Sequence, residues 1–263
     1  MLSIPHRTQS QKPLAVSLAE RTEKQNTEKL YILKTVLLTG INKGLGKELF
    51  NQLVEKKYFV FGLLRNEEIY NELLKTKPTN VELILADISN DNCINIINQI
   101  VKDTNIDLVI NNAGIGGEGM NLESTNSTEI INLINVHCLG VLRIMKSISK
   151  NLIQNNKTTV INLNSRLGSI THQSIGTFKN LDVSYSYRIA KASQNMLTNC
   201  LRLEFAGINF VSLTPGKLKT ELAQVDANLS PAESAKRIIE YWEQEKFENT
   251  NGILEVPDKI MEW

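Results

Sequence analysis

Cysteine is scarce in this chain. The three residues present, Cys93, Cys138 and Cys200, are odd in number and far apart. That distribution excludes a disulfide framework and lacks the close spacing of a metal-binding cluster. We therefore expect no metal site, and a protein of the reducing cytoplasm.

Long apolar runs and an excess of either charge are also lacking. No apolar run approaches the roughly 20 residues that span a bilayer, and 29 basic against 28 acidic residues leave a formal net charge of +1. We therefore expect neither a membrane nor nucleic acid as a partner. What the chain does have is 263 residues, 41% of them hydrophobic, which is enough for one sizeable α/β domain.

The first 32 residues differ from the rest. They are polar with mixed charge, and their one apolar piece, PLAVSLA at 13–19, is too short for a secretory signal. The acids Glu20, Glu23 and Glu28 are atypical of a transit peptide. We predict that residues 1–32 form a flexible extension, with a partner-contacting segment as the alternative, and that residues 33–263 form a single domain.

From residue 34 onwards, short apolar segments alternate with stretches of helical periodicity. The predicted strands are TVLLT (35–39), YFVFGLL (58–64), VELILA (81–86), IDLVIN (106–111), TTVINLN (158–164) and INFVSLT (208–214). A long helix is predicted over 128–152. Near-continuous apolar strands separated by helices are typical of a parallel sheet covered on both faces. The predicted fold class is therefore α/β, a doubly wound parallel sheet of the Rossmann type in one domain.

Three glycines follow the first predicted strand, in TGINKGLG. Gly40, Gly44 and Gly46 let the backbone turn tightly and let a phosphate approach the next helix. Unpaired N–H groups and the helix dipole favour anions at that end of a helix. The alternative is an ordinary strand-to-helix turn, but the position directly after a buried strand favours a nucleotide site.

Four motifs, in this order along residues 35–220, resemble those of the short-chain dehydrogenases/reductases. They are TGINKGLG, NNAG (111–114), YRIAK (187–191) and PGKLKT (215–220). NSRLGSI (164–170) and the ending NGILEVPDKIMEW are similar to the C-factor and sniffer-like carbonyl reductases of that family. The resemblance implies a nicotinamide cofactor, a small-molecule carbonyl or alcohol substrate, and assembly into a homodimer or homotetramer through the long helices.

The resemblance also implies a set of cofactor-binding residues. They are Gly40, Asn42, Lys43, Gly44, Leu45, Gly46, Arg65, Asp87, Ile88, Asn112, Ala113, Gly114, Tyr187, Lys191, Pro215, Gly216, Leu218 and Thr220. Arg65 stands where an acid would bind a ribose 2′-hydroxyl, and with Lys43 it favours the 2′-phosphate of NADP(H) over NAD(H). The alternative is that both are solvated surface cations. Asp87 matches the family aspartate that contacts adenine, with a helix N-cap as its alternative.

Carbonyl reduction needs a proton donor and a group that stabilises charge on the substrate oxygen. In SYSYRIAKASQNM, Tyr187 lies one helical turn from Lys191, whereas Tyr185 falls on a different face. A nearby ammonium lowers the pKa of a tyrosine from its usual value of about 10. The resemblance makes Tyr187 the acid/base, Lys191 the residue that lowers its pKa, and Ser165 the partner of the substrate oxygen. An ordinary surface pair is the alternative for Tyr187 and Lys191.

Three neighbouring features complete the predicted active site. In LINVHCLGVL, His137 stands three residues before Gly140, where the family has an asparagine that positions a relay water. We predict that His137 occupies that position, with a core histidine bonded to backbone as the alternative. Asn164 replaces a second serine, which we expect to matter little. Residues 170–186 are predicted to form a loop over the active site.

Two other functional classes remain open at this point. A nucleotide-binding regulator with little turnover is suggested by the departures at His137 and Asn164, although an intact set of Ser165, Tyr187 and Lys191 argues against it. A nucleotide-sugar epimerase or dehydratase fits the glycine spacing poorly. An NADP(H)-dependent carbonyl reductase or alcohol dehydrogenase is the favoured interpretation.

Overall fold

The computed structural model describes residues 34–153, 158–219, 227–247, 252–255 and 259–263. The predicted extension at 1–32 lies outside the described residues. So does Thr220, one of the predicted cofactor-binding residues.

In the described residues, eight strands form one sheet in the order β3-β2-β1-β4-β5-β6-β7-β8. Strands β1 to β7 pair in parallel, and β8 is antiparallel to β7. The strands are β1 Thr35–Thr39, β2 Phe59–Leu64, β3 Val81–Leu85, β4 Leu108–Asn111, β5 Thr159–Leu163, β6 Asn209–Thr214, β7 Ile253–Glu255 and β8 Lys259–Met261. The predicted fold class is confirmed, and the six predicted strands are all present. The segment NGILEVPDKIMEW contains two further strands, β7 and β8, which pair antiparallel with Ile253 opposite Met261.

The helices alternate with the strands. They are α1 Gly44–Glu55, α2 Glu67–Thr76, α3 Asn92–Val101, α4 Ser127–Ile134, α5 Gly140–Ile153, α6 Ile170–Ser174, α7 Tyr185–Glu204 and α8 Pro231–Glu243. The sequence analysis did not predict α2, and none of the residues in this helix is buried. The loop predicted at 170–186 begins instead with the short helix α6, capped by the Ser169 hydroxyl.

Two apolar cores lie on opposite faces of the sheet. On one face α1 and α8 pack through residues such as Leu49 and Ile239. On the other face α3, α5 and α7 pack through residues such as Ile97, Ile144 and Leu201. Each strand of the central sheet is therefore covered on both sides, which explains the near-continuous apolar runs in the sequence.

The long helix predicted over 128–152 is interrupted by a π-helical turn. Residues Asn135–Leu139 form this turn between α4 and α5. The helical run Ser127–Leu152 is long and apolar enough to cross a membrane by length and composition, which the sequence pattern had not suggested. Its side chains Val141, Ile144 and Ile148 belong to the second core, so the run has the environment of a core helix.

The strand order places a crevice at one edge of the sheet. The direction in which successive strands are added to the sheet reverses between β1 and β4, since β2 and β3 lie on one side of β1 while β4 to β6 lie on the other. In open parallel sheets, ligands bind outside the carboxyl ends of the strands at this switch point. The segments that follow β1, β4, β5 and β6 carry most of the predicted site residues.

Candidate active site

A cleft of about 700 Å³ opens at the carboxyl ends of the strands. Every predicted site residue in the described part of the chain lines it. These are Gly40, Asn42, Lys43, Gly44, Leu45, Gly46, Arg65, Asp87, Ile88, Asn112, Ala113, Gly114, His137, Ser165, Tyr187, Lys191, Pro215, Gly216 and Leu218. The fold thus brings together residues that are up to 178 positions apart in sequence.

The glycine turn between β1 and α1 forms one end of the cleft. Gly40 has a φ of 75°, and a Cβ there would lie 2.9 Å from the Ala113 Cα. A Cβ on Gly46 would collide with the Gly40 carbonyl oxygen and the Asn112 amide. Helix α1 starts at Gly44, and its N-cap residue Lys43 makes no side-chain capping hydrogen bond. The first N–H groups of α1 are therefore available to an anion in the cleft.

Asn112, directly after β4, holds this turn in place through hydrogen bonds. Its side-chain amide donates to the carbonyl oxygens of Thr39 (2.9 Å) and Gly40 (3.0 Å). The Thr39 hydroxyl accepts the backbone N–H groups of Asn112 and Ala113, both at 3.0 Å. The NNAG segment thus fixes the backbone of the glycine turn, in addition to lining the cleft.

The ends of β2 and β3 supply the most exposed part of the cleft. Arg65 and Asp87 form a 3.9 Å ion pair, with side chains 61% and 42% exposed. The Asp87 carboxylate also accepts the Ser89 N–H at 2.9 Å, so it caps its own turn, while the N-cap of α3 is Asp91. The alternative of Asp87 as a helix N-cap is therefore wrong. Asn66 lines the cleft here as well and caps α2 through its side chain.

Tyr187 and Ser165 meet at the opposite end of the cleft. A side-chain hydrogen bond joins them, and the Ser165 hydroxyl also accepts the Leu167 N–H at 3.2 Å. Tyr185 is 41% exposed, and the cleft lining includes Tyr187 but not Tyr185. Burial raises the pKa of Tyr187 to about 12, although the hydrogen bond from Ser165 opposes that rise. The sequence had suggested a lowered pKa, and desolvation is the reason for the difference.

Lys191 lies beneath Tyr187. Its Nζ is 5.7 Å from the centre of the Tyr187 ring, and it donates to the Leu163 carbonyl oxygen (2.7 Å) and the Gln194 Oε1 (3.1 Å). The residue is 5% exposed. Burial lowers the pKa of its ammonium to about 7. Burial thus raises the pKa of Tyr187 and lowers the pKa of Lys191, because it disfavours the charged form of each group.

His137 is presented to the cleft by the π-helical turn. Its ring packs edge-on against Tyr187, with ring centres 5.6 Å apart, and a Cβ on Gly114 would lie 2.6 Å from its Cε1. Nε2 lies 2.8 Å from the Ile115 carbonyl oxygen, and Nδ1 is buried without a hydrogen-bond partner among the described residues. Burial and the nearby Lys191 lower the pKa of His137 to about 3. The imidazole is therefore neutral at ordinary pH and has a hydrogen-bonding atom to offer a ligand.

The π turn also separates His137 from Asn135. The Asn135 amide donates to the Ser89 carbonyl oxygen at 3.0 Å, away from the cleft lining. Turns of this kind occur frequently at functional sites. His137 is bonded to backbone, as the core alternative predicts, and it also lines the cleft; that it takes the position of the family's relay asparagine stays a prediction.

Asn164 contributes more than the sequence suggested. It is 4% exposed, and its amide donates to the Asn195 Oδ1 (2.5 Å), the Lys191 carbonyl oxygen (3.2 Å) and the Ser212 Oγ (3.3 Å). Its own Oδ1 accepts the Ser165 N–H at 2.6 Å. Asn164 thus joins the end of β5 to both α7 and β6, and the expectation that the replacement of a serine matters little stays a prediction.

Several cleft residues were missed by sequence reasoning. Charged members of this group are Arg166, Lys217, Lys219 and Glu255. Each lies at or just after the carboxyl end of β5, β6 or β7. They stand within the quoted segments NSRLGSI, PGKLKT and NGILEVPDKIMEW, and the rule that ligands bind at these strand ends would have singled them out.

Comparison with known proteins agrees with this geometry. A family model described as short chain dehydrogenase matches residues 34–229. An uncharacterized oxidoreductase of Saccharomyces cerevisiae is 28% identical over 193 residues, which are 72% of this chain but only 61% of the yeast protein. The NADPH-dependent pterin aldehyde reductase of Arabidopsis thaliana is 25% identical over 194 residues, 72% of this chain and 76% of that protein.

Two solved structures show the same fold. The NADPH-bound carbonyl reductase from chicken fatty liver has a TM-score of 0.74 at 22% identity, covering 88% of this chain and 99% of that one. The carbonyl reductase Sniffer of Drosophila melanogaster also has a TM-score of 0.74, at 24% identity, covering 88% and 100%. The family match covers more than half of the sequence, and the chain belongs to the short-chain dehydrogenase family.

Proposed function

We propose that this protein is an NADP(H)-dependent oxidoreductase that reduces an aldehyde or ketone to an alcohol. The observation that carries the proposal is the arrangement of Ser165, Tyr187 and Lys191 at one end of a cleft whose other end is the glycine turn. The family supports an oxidoreductase, and one relative is named as NADPH-dependent.

The cleft fits a dinucleotide for reasons visible in its own atoms. The N-terminus of α1, which no Lys43 side-chain bond caps, suits a pyrophosphate. Glycine at 40 and 46 is required by the packing of the turn that presents this N-terminus, because a Cβ would meet Ala113, Asn112 or the Gly40 carbonyl oxygen. When bound, a nicotinamide would supply the hydride. Arg65 and Lys43 at the exposed end favour a 2′-phosphate, which is the basis for proposing NADP(H) over NAD(H).

The raised pKa of Tyr187 keeps its phenol protonated, which is the form that carbonyl reduction needs. A phenol with a pKa of about 12 holds its proton at neutral pH, so Tyr187 is a proton donor to an oxygen that gains charge. Ser165, hydrogen-bonded to Tyr187, would hold the same oxygen. Lys191 places a cation 5.7 Å from the ring, which favours the phenolate left after proton transfer.

His137 would act as a neutral hydrogen-bonding group behind the tyrosine. Its Nε2 is engaged with the Ile115 carbonyl, so the unpartnered Nδ1 is the atom left to accept a bond from a water that resupplies the proton. Its low pKa means that it orients such a water and does not store the proton itself.

A cofactor titration followed by a substrate panel tests the proposal. We expect NADPH to bind more tightly than NADH, and NADPH to be consumed with at least one aldehyde or ketone. The variant Tyr187→Phe should keep NADPH affinity within a few-fold while turnover falls at least about 1,000-fold, because the proton donor is removed. Full turnover in Tyr187→Phe would overturn the role of Tyr187 as proton donor. Tight NADPH binding by the wild type without turnover of any carbonyl in the panel would favour a nucleotide-binding regulator.

We also propose a homo-oligomer that uses the outer face of the long helices. Ile189, Met196 and Leu203 repeat every seven residues on α7 and are 42%, 64% and 89% exposed, and Ile131 on α4 is 67% exposed. Light scattering of the wild type and of the double variant Met196→Glu, Leu203→Glu checks this. A wild-type protein that is monomeric at all concentrations would contradict it.

A further inference from the structure

Gln194 is a nearly inaccessible polar side chain next to the predicted catalytic lysine. It lies three residues after Lys191, outside the YRIAK motif, and is 2% exposed. Fully buried glutamine is uncommon because both halves of its amide need partners. Its Oε1 accepts a hydrogen bond from the Lys191 Nζ at 3.1 Å.

The two acceptors of Lys191 come from different elements. Gln194 lies on α7 itself, at the i+3 position that shares a face with Lys191. The Leu163 carbonyl oxygen is the last of β5 and accepts at 2.7 Å. Together they fix the Nζ between the helix and the strand, which leaves the third ammonium N–H for the cleft that Lys191 lines.

The other groups facing the ammonium do not replace these acceptors. Tyr187 presents its ring at 5.7 Å, and His137, on the π-helical turn, is uncharged at ordinary pH because its pKa is about 3. Both acceptors that do bond Lys191 are neutral. A buried ammonium held by two neutral acceptors depends strongly on each, since hydrogen bonds to charged groups are among the strongest.

We propose that Gln194 is a positioning residue that holds the Lys191 ammonium in its charged form beneath Tyr187. This inference rests on the proposed role of Lys191 in carbonyl reduction. In this role Gln194 acts through its hydrogen bond to Lys191 and bonds neither the substrate nor Tyr187. An apolar residue at position 194 would fill the same space but remove one of the two acceptors.

The direct test is a titration of Lys191 in Gln194→Leu, with no cofactor present. Protein carrying ¹³C at the lysine ε-carbons is titrated by NMR, and the Lys191 signal is assigned by its loss in Lys191→Met. We expect the pKa of Lys191 to fall by about one pH unit in Gln194→Leu. Gln194→Met, an unbranched replacement, serves if the leucine variant does not fold.

Thr198→Val is the matched control. Thr198 is fully buried on the same helix and bonds Asn162 (2.9 Å) and the Gln194 carbonyl oxygen (2.8 Å), but not Lys191. We expect this variant to lose stability while the pKa of Lys191 stays at its wild-type value. An unchanged pKa in both Gln194 variants, or an equal change in Thr198→Val, would overturn the inference.

Turnover gives the second readout. Gln194→Leu should lower kcat about tenfold at pH 8 and approach wild-type kcat at pH 5, because acid restores the lysine proton. Thr198→Val should show no such recovery. If no variant and no wild-type protein turns over any carbonyl, the proposed function fails, while the NMR titration still decides whether Gln194 holds the Lys191 proton.

Discussion

The two ends of the cleft are built in different ways. The end formed by β1, β2 and β3 consists of backbone, glycine and exposed side chains such as Arg65 and Asp87. The end formed by β5, α7 and the π turn consists of buried polar side chains with strongly shifted pKa values, Lys191 and His137 among them. At the exposed end, single substitutions should change the preference between cofactors. At the buried end, the pKa values of the catalytic groups depend on each hydrogen bond around them.

The largest expected effect comes from the glycine turn. Gly46→Ala puts a Cβ into the Gly40 carbonyl oxygen, so the turn must open and the N-terminus of α1 must move away from a bound phosphate. We expect the Kd for NADPH, measured by fluorescence titration, to rise at least about 100-fold. Lys47→Ala, an exposed site on the same helix, is the control and should bind NADPH as wild type does. Retained affinity in Gly46→Ala would mean that the turn is not the phosphate site.

His137 tests whether the buried end depends on single hydrogen bonds. His137→Ala removes both the bond to the Ile115 carbonyl and the unpartnered Nδ1, and we expect kcat to fall about 10- to 100-fold with little change in NADPH affinity. His137→Asn, the residue that the family resemblance leads us to expect, should keep most of the activity. The check is kcat of the two variants, measured by steady-state kinetics. Equal kcat in wild type and His137→Ala would show that His137 serves only in packing.

Arg65 tests the exposed end. Arg65→Ala removes a cation that lies beside Asp87, and we expect the ratio of kcat/KM with NADPH to that with NADH to fall about tenfold. The substitution should leave kcat with NADPH at saturation nearly unchanged, because Arg65 follows β2 whereas Ser165 follows β5, three strands away in the sheet. An unaltered ratio would show that Lys43 or another group sets the cofactor preference.

The smallest effect concerns stability at the buried end. Lys191 has a pKa of about 7 when folded and about 10.4 when unfolded, so between these values the unfolded state binds more protons. The stability of the wild type therefore rises with pH across this window. Lys191→Met removes the cost of burying the lysine, and we expect its Tm to exceed that of the wild type by several degrees at pH 6. This advantage should shrink as the pH approaches 10, and thermal melts that show the opposite trend would contradict the assigned burial.

The architecture and the choice of tyrosine follow from local patterns in the amino-acid sequence. The alternation of apolar strands with periodic helices is a local signal, so six strands of the sheet could be predicted almost residue by residue. Helical spacing selected Tyr187 over Tyr185 as the neighbour of Lys191, and the structure places Tyr187 in the cleft lining. The helix α2 was not predicted, because none of its residues is buried and only Ile69, Tyr70 and Leu73 pack against the first core.

The pKa shifts and hydrogen bonds of the buried end, in contrast, arise from the packing of the folded chain. Asn164, Asn195 and Ser212 are joined across β5, α7 and β6 by bonds between residues 17 to 48 positions apart, which no local pattern records. The raised pKa of Tyr187 and the lowered pKa of Lys191 both come from desolvation. Burial is a property of the packed chain and not of any motif, and for that reason the acceptor role of Gln194 became visible only in the folded protein.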